Sequence, residues 1–136
     1  MERVTVKRIS VITPETGERE EIVGEWVGAL RANAAELLVT FTEPVEGGKV
    51  FNRVLWRDGA LTVDRKGAVS STVTFRAGER STTELSYPPI TLPMTVETEE
   101  VLLLPTPVGV GFRVIFTSNV GEERRRTELT VTAIPA

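Results

Sequence analysis

Residues 50–65 read Val50-Phe51-Asn52-Arg53-Val54-Leu55-Trp56-Arg57-Asp58-Gly59-Ala60-Leu61-Thr62-Val63-Asp64-Arg65. Val50, Asn52, Val54 and Trp56 fall on one face of an extended chain, and Phe51, Arg53, Leu55 and Arg57 on the other. That period of two belongs to a strand. Asp58-Gly59 then stops the run. Both central positions of a type I′ turn need positive φ, which Asp tolerates and Gly adopts freely. Beyond the turn Leu61, Val63 and Arg65 continue in phase, so the stretch predicts an antiparallel hairpin.

The same pattern extends in both directions. Upstream, Arg3 to Ile12 carries Val4 and Val6 on one face and Ile9 and Val11 on the other, which predicts a bulge or bend near Arg8. Thr13-Pro14-Glu15-Thr16-Gly17 turns the chain into a strand from Glu21 to Ala32, where Ile22, Trp26 and Leu30 are in phase. Gly24 and Gly28 lie between them and predict a sheet that curls. The alanines between Val27 and Leu38 are the one helical contender; Asn33 and the β-rich flanks favour a turn. Glu36 to Glu43 follows, with Leu37, Val39 and Phe41 in phase. Downstream, Val69, Ser71, Val73 and Phe75 alternate, then Glu79 to Tyr87. Leu92, Met94, Val96 and Thr98 come next, then Val110, Phe112, Val114 and Phe116. Thr127, Leu129, Val131 and Ala133 close the series. With Pro88-Pro89 read as a loop or edge, this makes ten short strands without a linker or internal repeat.

The composition agrees. The 136 residues include 19 Val and 18 Thr, β-branched residues that favour strands. One domain, residues 1–136, is expected. A sheet of so many twisted strands curls, closes or splits. The expectation is therefore an all-β, antiparallel up-and-down β-barrel of about eight to ten strands, with a β-sandwich as the alternative.

The spacing Gly67-x-x-Ser70-x-x-x-x-Phe75-x-x-Gly78, followed by Leu92-x-Met94-x-Val96-x-Thr98 and two terminal strands, resembles a family of small bacterial proteins. It is known as domain of unknown function 1934, and its fold is a calycin-like (lipocalin-like) β-barrel. The likeness covers nearly the whole chain. Where that family carries Tyr-x-Thr-Pro-Tyr-Gly before the Met-bearing strand, this sequence reads Leu85-Ser86-Tyr87-Pro88-Pro89-Ile90, and only Pro88 matches. The resemblance implies the barrel and no particular activity.

Composition also excludes chemistry. With no His and no Cys there is no imidazole base, thiolate nucleophile, disulfide framework or His/Cys metal site. The net charge of −3 argues against nucleic-acid binding. No apolar run approaches the roughly 20 residues of a membrane helix, and no leader is apparent, so a cytoplasmic, non-enzymatic protein without cofactor or metal is expected.

Certain polar residues stand in phase with apolar ones. Arg8 follows Val4 and Val6, Asn52 lies between Val50 and Val54, and Arg65 follows Leu61 and Val63. Ser71 lies between Val69 and Val73, and Thr98 follows Val96. Inside a barrel these would give an apolar lumen a few polar groups, suited to a small apolar or amphipathic ligand with an Arg forking onto its carboxylate or phosphate. Trp26 and Trp56 would line it. The plainer alternatives are strand-end arginines reaching water, an interior Arg–Glu ion pair, and tryptophans that are simply core. Tyr87, Pro88, Pro89 and Ile90 form a stiff segment that can serve as a lid, a contact patch (a homodimer being one use) or a blunted edge. Arg124-Arg125-Arg126, flanked by Glu122-Glu123 and Glu128, reads as solvated ion pairs, with Arg125 facing away from its neighbours.

Overall fold

A computed structural model describes residues 1–136, and every regular element in it is a strand. β1 spans Glu2–Pro14, β2 Glu20–Ala32, β3 Glu36–Val45, β4 Gly48–Arg57 and β5 Ala60–Gly67. β6 spans Ser71–Phe75, β7 Arg80–Tyr87, β8 Ile90–Leu104, β9 Val110–Val120 and β10 Glu123–Pro135. They form one antiparallel sheet in the order β6-β5-β4-β3-β2-β1-β10-β9-β8-β7. Every ladder but β1–β10 joins strands that are neighbours in sequence, and β6 and β7 are the two ends of the sheet, which is an up-and-down meander. It curls until its two ends meet at a single bridge, where Ser70 and Ser86 exchange backbone hydrogen bonds of 2.7 and 2.9 Å. The result is a nearly closed barrel. No helix is long and apolar enough to cross a membrane.

Local chemistry accounts for the connections. Asp58 (φ 51°) and Gly59 (φ 74°) both sit in the positive-φ region, as the I′ turn between β4 and β5 requires. Between β2 and β3 the side chain of Asn33 accepts hydrogen bonds from the amides of Ala35 (2.8 Å) and Glu36 (3.0 Å), an Asx turn in place of a helix.

One expectation needs correction. β1 has no bulge near Arg8, because its register is unbroken against β10 from Val4 to Pro14 and against β2 from Glu2 to Ile12. The apparent switch of face arises because Arg8 and Ser10 take the inward positions after Val6, leaving Ile9 and Val11 outside. The register shift lies instead in β8, between Thr98 and Glu100. It lets one strand run the full length from Ile90 to Leu104, where Pro105 stops it.

The barrel is filled at one end. Val4, Val6, Val39, Leu61, Phe112, Val114 and Ala133 are buried together there, and Trp56 packs on Phe112 with ring centres 6.3 Å apart. Toward the other end the inward residues become polar, small or more widely spaced, and the interior opens.

Candidate functional site

The open end is a cavity of about 330 Å³ enclosed by side chains from every strand except β2. This lies at the lower end of the volume range of small-molecule sites. Its floor is apolar, with Phe75 and Phe116 in contact at 4.7 Å between ring centres, flanked by Val54, Val73, Val96 and Val131. Leu85, Met94 and Val120 form one wall. A polar wall holds Arg8, Asn52, Arg65 and Ser71, with Ser71 next to Leu85 across the seam, and Ser10, Ser118, Arg125 and Thr127 add polar groups nearer the rim.

The polar wall is organised by Glu43. It follows Leu37, Val39 and Phe41 on the inward face of β3 and is only 5 % exposed. Arg8 donates from Nη1 and Nη2 to its two carboxylate oxygens at 3.1 and 2.9 Å. Arg65 donates from Nη2 to Oε1 at 2.9 Å, and the Asn52 amide donates to the same oxygen at 3.1 Å. Asn52, 1 % exposed, in turn accepts from Arg65 Nε at 3.3 Å. Burial pushes the Glu43 carboxyl upward, but hydrogen bonds from Arg8 and Asn52 and the charges of Arg8 and Arg65 outweigh it. They hold its pKa at about 2.

Two glycines make room for this arrangement. β2 pairs with β3 only from Gly28 to Ala32, and from Glu20 to Val27 it is bonded to β1 alone. At Gly28, where the strands separate, a Cβ would run into the carbonyl oxygen of Thr40. At Gly24 a Cβ would fall on the Trp26 ring. With that space free, the indole lies flat, stacks on Phe41 at 4.9 Å, and carries the Arg8 guanidinium 4.8 Å from its centre. Arg8 thus crosses from β1 to Glu43 on β3 over the strand between them.

The expected residues are therefore divided. Arg8, Asn52, Arg65 and Ser71 do line the cavity, on adjacent strands. Trp26, Trp56 and Thr98 do not: Trp26 lies behind Arg8, Trp56 belongs to the packed end, and Thr98 is buried on β8 opposite Phe116. Tyr87, Pro88, Pro89 and Ile90 form the tip of the β7–β8 hairpin, with Pro88 and Pro89 joined by a cis peptide bond. Glu43 is not among the residues the sequence singles out: its phase with Phe41 points inward, but a Glu at the end of an apolar run, beside Pro44, has the pattern of a solvated strand end. Arg125 faces away from Arg124 and Arg126, as the alternation implies, and lines the cavity rim while bonding Glu123 at 2.8 Å. Arg126 forms a bidentate pair with Glu99 at 3.1 Å, one of the solvated pairs expected of that run.

Residues 6–121 match a family described as Domain of unknown function (DUF1934). The chain belongs to the DUF1934 family. Among solved structures, the crystal structure of ywiB protein from Bacillus subtilis superposes on this DUF1934 chain with a TM-score of 0.89. The match covers 99 % of this chain and 92 % of that one at 20 % identity, a likeness of fold alone. None of the curated proteins matches it.

Proposed function

We propose that this DUF1934 barrel is a non-enzymatic binding protein that holds one small amphipathic molecule in the open half of its lumen. The observation that carries the reading is the contrast between the two ends. One is packed with side chains, while the other keeps about 330 Å³ between an apolar floor and a polar wall. An apolar body with a polar end fits that division. A binding role rather than catalysis accords with a chain that has no His and no Cys and whose interior carboxylate is already bound by two arginines. Charged residues on the outer face of the sheet, among them Lys7, Glu25, Arg53 and Arg113, suit an aqueous compartment, which we take to be the cytoplasm.

The test is a thermal-shift and fluorescence screen with straight-chain fatty acids, alcohols and a naphthylamine dye that brightens in apolar surroundings. A ligand at about 100 times its Kd adds about 2.7 kcal/mol and raises Tm by several degrees. Dye binding that survives in a cavity-filled Ser118→Phe variant, or no binding of any probe, defeats the reading. A second use, contact between two copies, is favoured by the exposure of Tyr87 (38 %) and Ile90 (46 %) at the hairpin tip. A monomeric mass at millimolar concentration by sedimentation removes it.

A further inference from the structure

The two interior arginines are not equivalent. Arg8 lies on Trp26 and gives both terminal nitrogens to Glu43. Arg65 gives Nε to Asn52 and Nη2 to Glu43, which leaves its Nη1 group without a protein acceptor. Ser71 stands directly opposite Arg65 in the β5–β6 register, and both side chains face the cavity. A free guanidinium edge and a hydroxyl therefore lie side by side on adjacent strands, above the apolar floor. That is the donor pattern that receives a planar carboxylate.

The charge count sets a limit. Arg8 and Arg65 against Glu43 leave one positive charge on this wall, which is partly shielded from water, while the charge of Arg125 at the rim is balanced by Glu123. One negative charge balances it; a second would face the Glu43 carboxylate across a few ångströms in a region of low dielectric. Resting on the reading that the lumen holds an amphipathic molecule, we infer that its ligand is a monoanionic carboxylate received by Arg65 and Ser71, and that Glu43 is the residue that turns doubly charged head groups away. Arg8 is then a positioning residue, which holds Glu43 without touching the ligand.

Calorimetric titration with octanoate, octanol and octyl phosphate separates the possibilities. The expected result is octanoate binding at least about tenfold tighter than either of the others. Arg65→Met brings octanoate down to the affinity of octanol while leaving octanol unchanged, and Arg65→Lys restores part of the difference. Ser71→Ala, a smaller change at the same site, weakens octanoate alone. Glu43→Gln raises the affinity for octyl phosphate relative to octanoate, and circular dichroism checks that this variant folds; Glu43→Asp, which keeps the charge, holds the wild-type order. Equal binding of octanoate and octanol overturns the carboxylate inference while the lumen reading stands, and tighter binding of octyl phosphate by the wild type overturns the single-charge limit. Failure of all three compounds and of the dye overturns the lumen reading itself.

Discussion

At the scale of single residues the site depends on Glu43. Its carboxylate is the shared acceptor of Arg8, Arg65 and Asn52, so replacing it by Gln leaves two cations half-buried without their counter-charge. Breaking such a pair from one side costs about 3–5 kcal/mol. The pH dependence follows from the direction of the shift. The carboxyl has a pKa of about 2 in the folded chain against an ordinary value of 4.5. The folded state therefore binds the proton less readily than the unfolded chain, so the stabilisation is complete above about pH 5 and fades as pH falls from 4.5 toward 2. At roughly 1.4 kcal/mol per pH unit, the linkage is worth about 3 kcal/mol. Urea denaturation of wild type and Glu43→Gln is thus expected to show a gap of about that size at pH 7 that narrows below pH 4.5 and closes near pH 2. A gap that stays constant over that range would mean Glu43 acts by shape rather than charge.

At the scale of elements, the β7–β8 hairpin and the seam beside it differ from the rest of the wall. β9 begins to pair with β8 only at Met94–Val120, so the rungs Glu84–Pro93 to Tyr87–Ile90 form a two-stranded flap that lacks β9, lends Leu85 to the cavity wall and is bonded to the rest of the barrel at Ser86. Opposed residues in an antiparallel ladder share a face. Tyr87 and Ile90 therefore extend the surface of Leu85 and Leu92 and lie on the cavity side. Replacing both by Ser is expected to speed release of the bound dye several-fold in stopped-flow measurements, with unfolding free energy changed by less than about 0.5 kcal/mol. Unchanged release would make the flap a bystander. Across the seam, β6 meets this flap through the Ser70–Ser86 bridge alone, whereas β1 is paired on both sides along nearly its whole length. Amides of β7 should accordingly exchange orders of magnitude faster than those of β1 in native-state hydrogen exchange. The strands themselves were legible, because alternation and the Asp58-Gly59 pair are local signals. The bulge at Glu99 was not: the stretch from Thr98 to Val101 is polar or ambiguous on both faces, and only pairing with β9 reveals the slip. Nor was the Arg8–Glu43 contact, since the partners are 35 residues apart and meet only because β2 leaves β3 beyond Gly28.

At the scale of the whole molecule, the barrel divides its labour along its axis. The sequence placed polar residues on inward faces but could not say that they gather at one end, because that depends on strand stagger and on which ends of neighbouring strands coincide. Arg8 and Asn52 near the middle of β1 and β4, Arg65 late in β5 and Ser71 at the start of β6 reach the same level only through antiparallel registers. If stability resides in the packed end and binding in the open one, substitutions in the two halves have different consequences. Phe112 is fully enclosed and in contact with Trp56, so Phe112→Ala creates a new void and should cost about 3–5 kcal/mol. Met94 already borders empty space, so Met94→Ala enlarges an existing cavity and should cost less than half as much. Ligand response reverses the order: Phe112→Ala keeps the wild-type stabilisation by a saturating lumen probe measured from its own lower baseline, and Met94→Ala alters it. The two effects can be read from one set of urea titrations with and without the probe. Equal costs for the two variants, or loss of the probe response in Phe112→Ala alone, would show that the ends are energetically one unit, and the separation of scaffold from site would have to be abandoned.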